Sequence, residues 1–120
     1  MYSERLLDHF QNPRNVGELP PPAITLEVSN PACGDILRLS VRIEEGRVAE
    51  ARYKVRGCTA SIAAGSALTE ILRGMTRREA AALNTQAIEQ AVGGLAPESK
   101  HAAVLCVDSL KSLLRRWDAL

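Results

Sequence analysis

The hydrophobic period of this chain changes once, near Thr59, and that change limits the fold more than any other feature. Before it, apolar residues alternate. The first run is Ile24, Leu26 and Val28; the second is Leu37, Leu39, Val41 and Ile43, with Arg38, Ser40 and Arg42 facing out. The third places Ala49, Ala51, Tyr53 and Val55 on one face and Glu50, Arg52, Lys54 and Arg56 on the other. A period of two belongs to a strand with one buried face. Glu44-Glu45-Gly46-Arg47 supplies a hairpin turn in which Gly46 is free to take positive φ. The three strands are therefore expected to form an antiparallel meander with one solvated face.

After Thr59 the period becomes helical. Ala60, Ala64, Ala67, Leu68, Ile71 and Leu72 share a face, and Gly74 stands where a C′ glycine belongs. Thr76-Arg77-Arg78-Glu79 is a capping box for a short helix, and Asn84 caps another that Gly93-Gly94 ends. A last helix, from about Glu98 to Trp117, carries the stripe Ala103, Cys106, Leu110, Leu113 and Trp117. At the other end, Ser3 caps a short helix whose buried face would be Leu6, Leu7 and Phe10, and Asn12-Pro13 stops it. Strands first and helices afterwards imply an α+β sandwich: a three-stranded antiparallel sheet with helices packed on one face, in a single domain spanning residues 1–120.

A net charge of +1 gives no electrostatic case for nucleic acid or a membrane surface, and the apolar runs are far short of a bilayer span. The opening Met-Tyr-Ser-Glu-Arg lacks the apolar stretch of a secretory signal. Three cysteines are too few, and odd in number, for a disulfide framework. The expected compartment is a reducing cytoplasm, with the thiols free or bound to metal.

Those thiols belong to a small set of metal-type ligands spread over three segments. Cys33 and Asp35 lie in Asn-Pro-Ala-Cys-Gly-Asp, in the connection between the first two strands; Cys58 stands where the third strand meets the long helix; His101 falls in the first turn of the last helix. Thiolate, carboxylate and imidazole together suit zinc or iron better than magnesium. A thiol at a helix N-terminus meets oriented N–H groups that favour the thiolate, the form that binds metal or accepts sulfur. Each segment also has a plain structural reading. Asp35 can close an Asx turn, Cys58 can be a small residue at a tight junction, and a lone His is often structural, which is the reading for His9. Cys106 fits the apolar stripe as a packed core thiol; one helical turn from Ala102, it is also a candidate displaced ligand or sulfur relay. The Arg and Lys row on the third strand is either a docking face or, more simply, a solvated strand face.

Tyr2-Ser-Glu-Arg-Leu-Leu-Asp-His-Phe-Gln-Asn-Pro-Arg-Asn-Val-Gly17 closely resembles the N-terminal signature of the IscU/NifU-type iron–sulfur cluster assembly scaffolds. Asn30-Pro-Ala-Cys-Gly-Asp35 and Gly57-Cys58, followed by a Ser/Ala-rich helix, are similar to that family's first two cysteine motifs. The resemblance runs from Tyr2 to about Trp117 and implies a SufE/NifU-like sandwich. It implies a non-enzymatic scaffold that receives sulfur from a cysteine desulfurase, combines it with iron, holds a transient [2Fe–2S] cluster and passes it to apo iron–sulfur client proteins, with room for a homodimer sharing one cluster. Cys33, Asp35, Cys58 and His101 match the family's site residues. The family typically follows this His with a third Cys; here the residue is Ala102. In the IscU branch a Leu-Pro-Pro-Val-Lys segment recognised by a specialised Hsp70 chaperone precedes the His; here the stretch is Leu95-Ala96-Pro97-Glu98-Ser99-Lys100, which departs from that segment and leaves the chaperone hand-off open. The alternative reading is a zinc-binding sulfur acceptor, or a regulator of the desulfurase that carries no cluster. Four ligands of this kind suffice for tetrahedral zinc, and mixed Cys/His ligation of a [2Fe–2S] cluster is chemically sound.

Overall fold

The computed structural model describes residues 2–31 and 34–120. Strands β1 (Ile24–Ser29), β2 (Ile36–Glu44) and β3 (Arg47–Arg56) form an antiparallel sheet in the order β1-β2-β3. The helices are α1 (Glu4–Gln11), α2 (Thr59–Leu72), α3 (Arg77–Ala81), α4 (Thr85–Ala91) and α5 (His101–Asp118), with a 3₁₀ turn at Pro97–Ser99 leading into α5. Among the described residues no helix is long and apolar enough to cross a membrane.

Local chemistry sets the element ends. The Ser3 hydroxyl accepts the Leu6 N–H, both halves of the Thr76–Glu79 capping box are made, and Asn84 Oδ1 accepts the Ala87 N–H. In the β2–β3 hairpin Glu45 and Gly46 have φ of 52° and 73°, the type I′ pattern whose twist matches the strands.

Packing follows the period change. Leu26, Leu37, Leu39, Val41 and Tyr53 line the inner sheet face, α2 lies over β3, and α5 lies over β1 and β2. One inward position differs from expectation. The register steps between Arg42 and Ile43, pairing Ile43 with Val48 and Arg42 with Glu50, so Ala49 is the extra residue of a β-bulge. Val48, 1% exposed, enters the core in place of Ala49. The outer face is solvated and charge-compensated. Arg38 pairs with Glu18 and Glu27, Arg42 with Glu44 and Glu50, and Arg52 with Glu50.

α2 is enclosed by α1, β3, α4 and α5, and small residues bury nearly its whole circumference. A Cβ on Gly65 would come within 2.6 Å of Tyr53 Cδ2, so glycine is what lets the ring lie on the helix. α1 also departs from its expected face. Leu6 and His9 are buried, while Leu7 and Phe10 are exposed. The reason is a polar seam on α2. Ser66 Oγ accepts the Arg14 N–H (2.9 Å) and faces His9 Nδ1 (2.8 Å), and Asn15 Nδ2 donates to Thr69 Oγ1 (3.1 Å). One hydroxyl on α2 thus ties down both α1, at His9, and the chain that follows it, at Arg14.

The sheet edges are covered. Along β3, the Tyr53 N–H donates to Asn15 O and the Gly17 N–H to Tyr53 O, while the Val48 N–H donates to Met75 O and the Gly74 N–H to Val48 O. On β1, Arg116 Nη1 donates to Thr25 O.

Candidate metal centre

The site lies at the end of the sandwich where β1 hands the chain to β2, β3 ends and two helices begin. The β1–β2 connection is closed at its base by Asn30 N–H to Asp35 O (2.9 Å) and Gly34 N–H to Asn30 O (2.7 Å), with Gly34 at φ +75°. This brings Asp35, 5% exposed, to the site just before β2. Cys33 lies outside the described residues. Cys58 is the N-cap of α2, in extended geometry and half-buried. His101 opens α5 and presents Nε2 to the same point.

These three side chains converge. Cys58 Sγ lies 3.3 Å from Asp35 Oδ2 and 3.4 Å from His101 Nε2, and His101 Nε2 lies 3.5 Å from Asp35 Oδ2. Ligand atoms about 2.0–2.3 Å from a tetrahedral zinc ion are separated by roughly 3.3–3.6 Å from one another. The three contacts therefore match one face of a tetrahedron. The same geometry separates a metal centre from a nucleophile triad. In a triad the acid engages the imidazole nitrogen opposite the nucleophile. Here thiol and carboxylate both face Nε2, so the three groups surround a point rather than form a relay. Among the described residues, Asp35, Cys58 and His101 are the acid, thiol and imidazole group able to hold an ion.

Two neighbours fix the carboxylate. Ser61 Oγ donates to Asp35 Oδ2 at 2.5 Å and lies 3.4 Å from Cys58 Sγ. Ser61 is 2% exposed and was not among the residues the sequence singled out. The available signal was its position three residues after an N-cap cysteine, on the same helix face. On the other side, a Cβ on Gly57 would lie 2.5 Å from Asp35 Cγ, so the carboxylate occupies space that any other residue would fill. Burial opposes ionisation of Asp35. Hydrogen bonds from the Ser61 hydroxyl and from the Cys58 thiol and backbone N–H, with the nearby His101 charge, outweigh it and hold the carboxyl below its ordinary range.

Cys106 is placed elsewhere. It is 1% exposed in the core with Leu105 and Leu110, and burial pushes its thiol up to about 12. Among the described residues it is not in the converging group, and it occupies the core position that its apolar stripe indicated. Ala102 is fully buried beside His101. His9, read as structural, packs in the α1–α2 seam.

A family model described as the NifU-like N-terminal domain matches residues 1–119. The iron–sulfur cluster assembly scaffold protein IscU of Azotobacter vinelandii is 40% identical over 121 residues, covering 97% of this chain and 93% of that protein. IscU 1 of Archaeoglobus fulgidus is 37% identical over 111 residues, covering 92% of this chain and 72% of that protein. Among solved structures, one from Fervidobacterium islandicum AW-1, described as an iron–sulfur cluster assembly scaffold protein for the SUF system, aligns with a TM-score of 0.78 at 18% identity. It covers 94% of this chain and 96% of that one. This last likeness concerns the fold: the same three-stranded sheet with helices on one face.

Proposed function

The chain belongs to the NifU-like N-terminal domain family, and from that premise we propose that it is an iron–sulfur cluster assembly scaffold. It takes sulfur supplied by a cysteine desulfurase, combines it with iron as a transient [2Fe–2S] cluster, and passes that cargo to apo-proteins. It acts as a carrier with no turnover of its own. The whole of residues 1–120 serves as one domain.

The observation that carries this reading is the meeting of Cys58, Asp35 and His101 at mutual distances of 3.3–3.5 Å, from three segments far apart in sequence. Cys58 and His101 supply a thiolate and an imidazole. Cys33, from the same connection as Asp35, is the remaining ligand of the set. Asp35 supplies an oxygen, a weaker partner for iron–sulfur than a thiolate. A weak ligand suits a site whose cargo must leave. With Cys106 sealed in the core, the site works with the thiolates of Cys33 and Cys58.

Anaerobic reconstitution with ferrous iron, cysteine, a desulfurase and a thiol reductant, which supplies the electrons that take persulfide sulfur to sulfide, tests the reading. The expected product shows visible charge-transfer absorption with iron and acid-labile sulfide in equal amounts. A Cys58→Ala variant that retains the full spectrum and iron content would overturn it.

A further inference from the structure

We propose that Ser61 is the positioning residue for the carboxylate ligand, holding Asp35 in the site both before and after a metal ion enters. This rests on the metal-binding reading of the Asp35–Cys58–His101 group. Asp35 Oδ2 faces three partners: Ser61 Oγ at 2.5 Å, Cys58 Sγ at 3.3 Å and His101 Nε2 at 3.5 Å. They do not survive metal binding equally. A thiol that becomes a ligand gives up its proton, and an imidazole nitrogen that becomes a ligand offers a lone pair instead of an N–H. The Cys58 thiol and His101 Nε2 therefore cease to be donors to Asp35 on loading. Of these three, what persists is the Ser61 hydroxyl.

The placement of Ser61 fits this role. It is the third residue of α2, one turn beyond the Cys58 N-cap, and its hydroxyl is buried rather than solvated. Its contact with Asp35, at 2.5 Å, is shorter than those of Cys58 Sγ and His101 Nε2. Groups that hydrogen-bond a metal ligand from behind fix its orientation, and their loss typically weakens metal binding about 10–100-fold. Gly57 limits the carboxylate on its other side, so Ser61 and the Gly57 backbone together fix where the oxygen lies.

The test uses the full chain and Zn²⁺ or Co²⁺ as probe. Zinc affinity is measured by competition with a chromophoric chelator for wild type, Ser61→Ala, Ser61→Thr, Asp35→Ala and the Asp35→Ala/Ser61→Ala double variant. Thermal melting accompanies each, and Ala is if anything the better helix former. Ser61→Ala is expected to lose about 10-fold or more in zinc affinity and to change the intensity of the cobalt d–d bands, while keeping the sulfur-to-cobalt charge-transfer band of Cys58. Ser61→Thr is expected to retain most of the affinity. In the Asp35→Ala background, removing the Ser61 hydroxyl is expected to change affinity by less than about twofold, because its effect passes through Asp35. Wild-type zinc affinity in Ser61→Ala, or an equal loss with Asp35 already absent, overturns the positioning role alone. Absence of Cys58-dependent metal uptake by the wild type overturns the metal reading itself, and the positioning role with it.

Discussion

The carboxylate of Asp35 rests against the α-carbon of Gly57, so closely that a methyl group there would come within 2.5 Å of Asp35 Cγ. The end of β3 and the start of β2 thus meet through one side chain and the lack of another. Gly57→Ala is expected to displace the carboxylate, lowering zinc affinity at least 10-fold and stability by about 1–3 kcal/mol. Chelator competition and urea unfolding measure the two effects. A variant that binds and unfolds like wild type would show that Asp35 has room to yield.

Gly65 makes the matching prediction in the core. Its Cβ would lie 2.6 Å from a ring carbon of Tyr53, and both residues are buried. Gly65→Ala is expected to destabilise by about 1–3 kcal/mol through overpacking, despite the better helix propensity of alanine. Paired with Tyr53→Leu, which removes the ring, the penalty should shrink; an unchanged penalty in that background would place the strain elsewhere.

The α1–α2 seam predicts a pH dependence. Burial, first, and then the Arg14 charge hold the His9 imidazole below its ordinary value, against the opposing pull of Glu70 and Asp8. The unfolded chain therefore binds this proton more readily than the folded one. The neutral-His contribution is fully present above about pH 6.5 and is lost as pH falls from there through the lower folded-state value. His9→Asn, which keeps an acceptor near Ser66 but does not titrate, should flatten the stability profile between about pH 7 and 5. Urea midpoints at a series of pH values measure it, and an unflattened profile would remove His9 as the source.

Cys106 is expected to behave as core. Cys106→Ala should leave metal and cluster binding unchanged and cost about 1 kcal/mol, as for loss of one buried heavy atom. Cys106→Ser should cost more, because it leaves a hydroxyl in the core. In the native protein Cys106 should resist alkylation, given its burial and raised pKa. Iron content that falls in Cys106→Ala would return this thiol to the site.

Much of the architecture was legible because it rests on local chemistry. Ser3, Thr76 with Glu79, and Asn84 cap where their spacing indicates, and Leu26, Leu37, Leu39 and Val41 are buried as their alternation indicates; Ser40, expected to face out, is buried as well, its hydroxyl paired with that of Thr25. The exchange of Ala49 for Val48 was not legible, since a bulge is a step in backbone pairing that alternation does not register. The face of α1 was misread for another reason. Leu7 and Phe10 are more apolar than His9, but α1 turns Leu6 into the core, as expected, and beside it His9, which meets the Ser66 hydroxyl of α2. At the site, ligand types could be read from single residues and the common end of the sandwich from their positions. Ser61 could not, because a serine in a small-residue helix looks like packing until the carboxylate from another strand is beside it.

The covered edge of β3 bears on how two copies could meet. The segment at Asn15–Gly17 takes up the backbone of Tyr53, and the turn at Gly74–Met75 takes up that of Val48. On the opposite margin Arg116 occupies the Thr25 carbonyl. Sheet-to-sheet extension, a common route by which β proteins self-associate, is thus met by competing contacts at Val48 and Tyr53 on one flank and at Thr25 on the other. A pair of chains sharing one cluster would meet at the end of the sandwich that carries Asp35, Cys58 and His101. Such a pair would be joined mainly by its cargo and would come apart when the cargo is delivered.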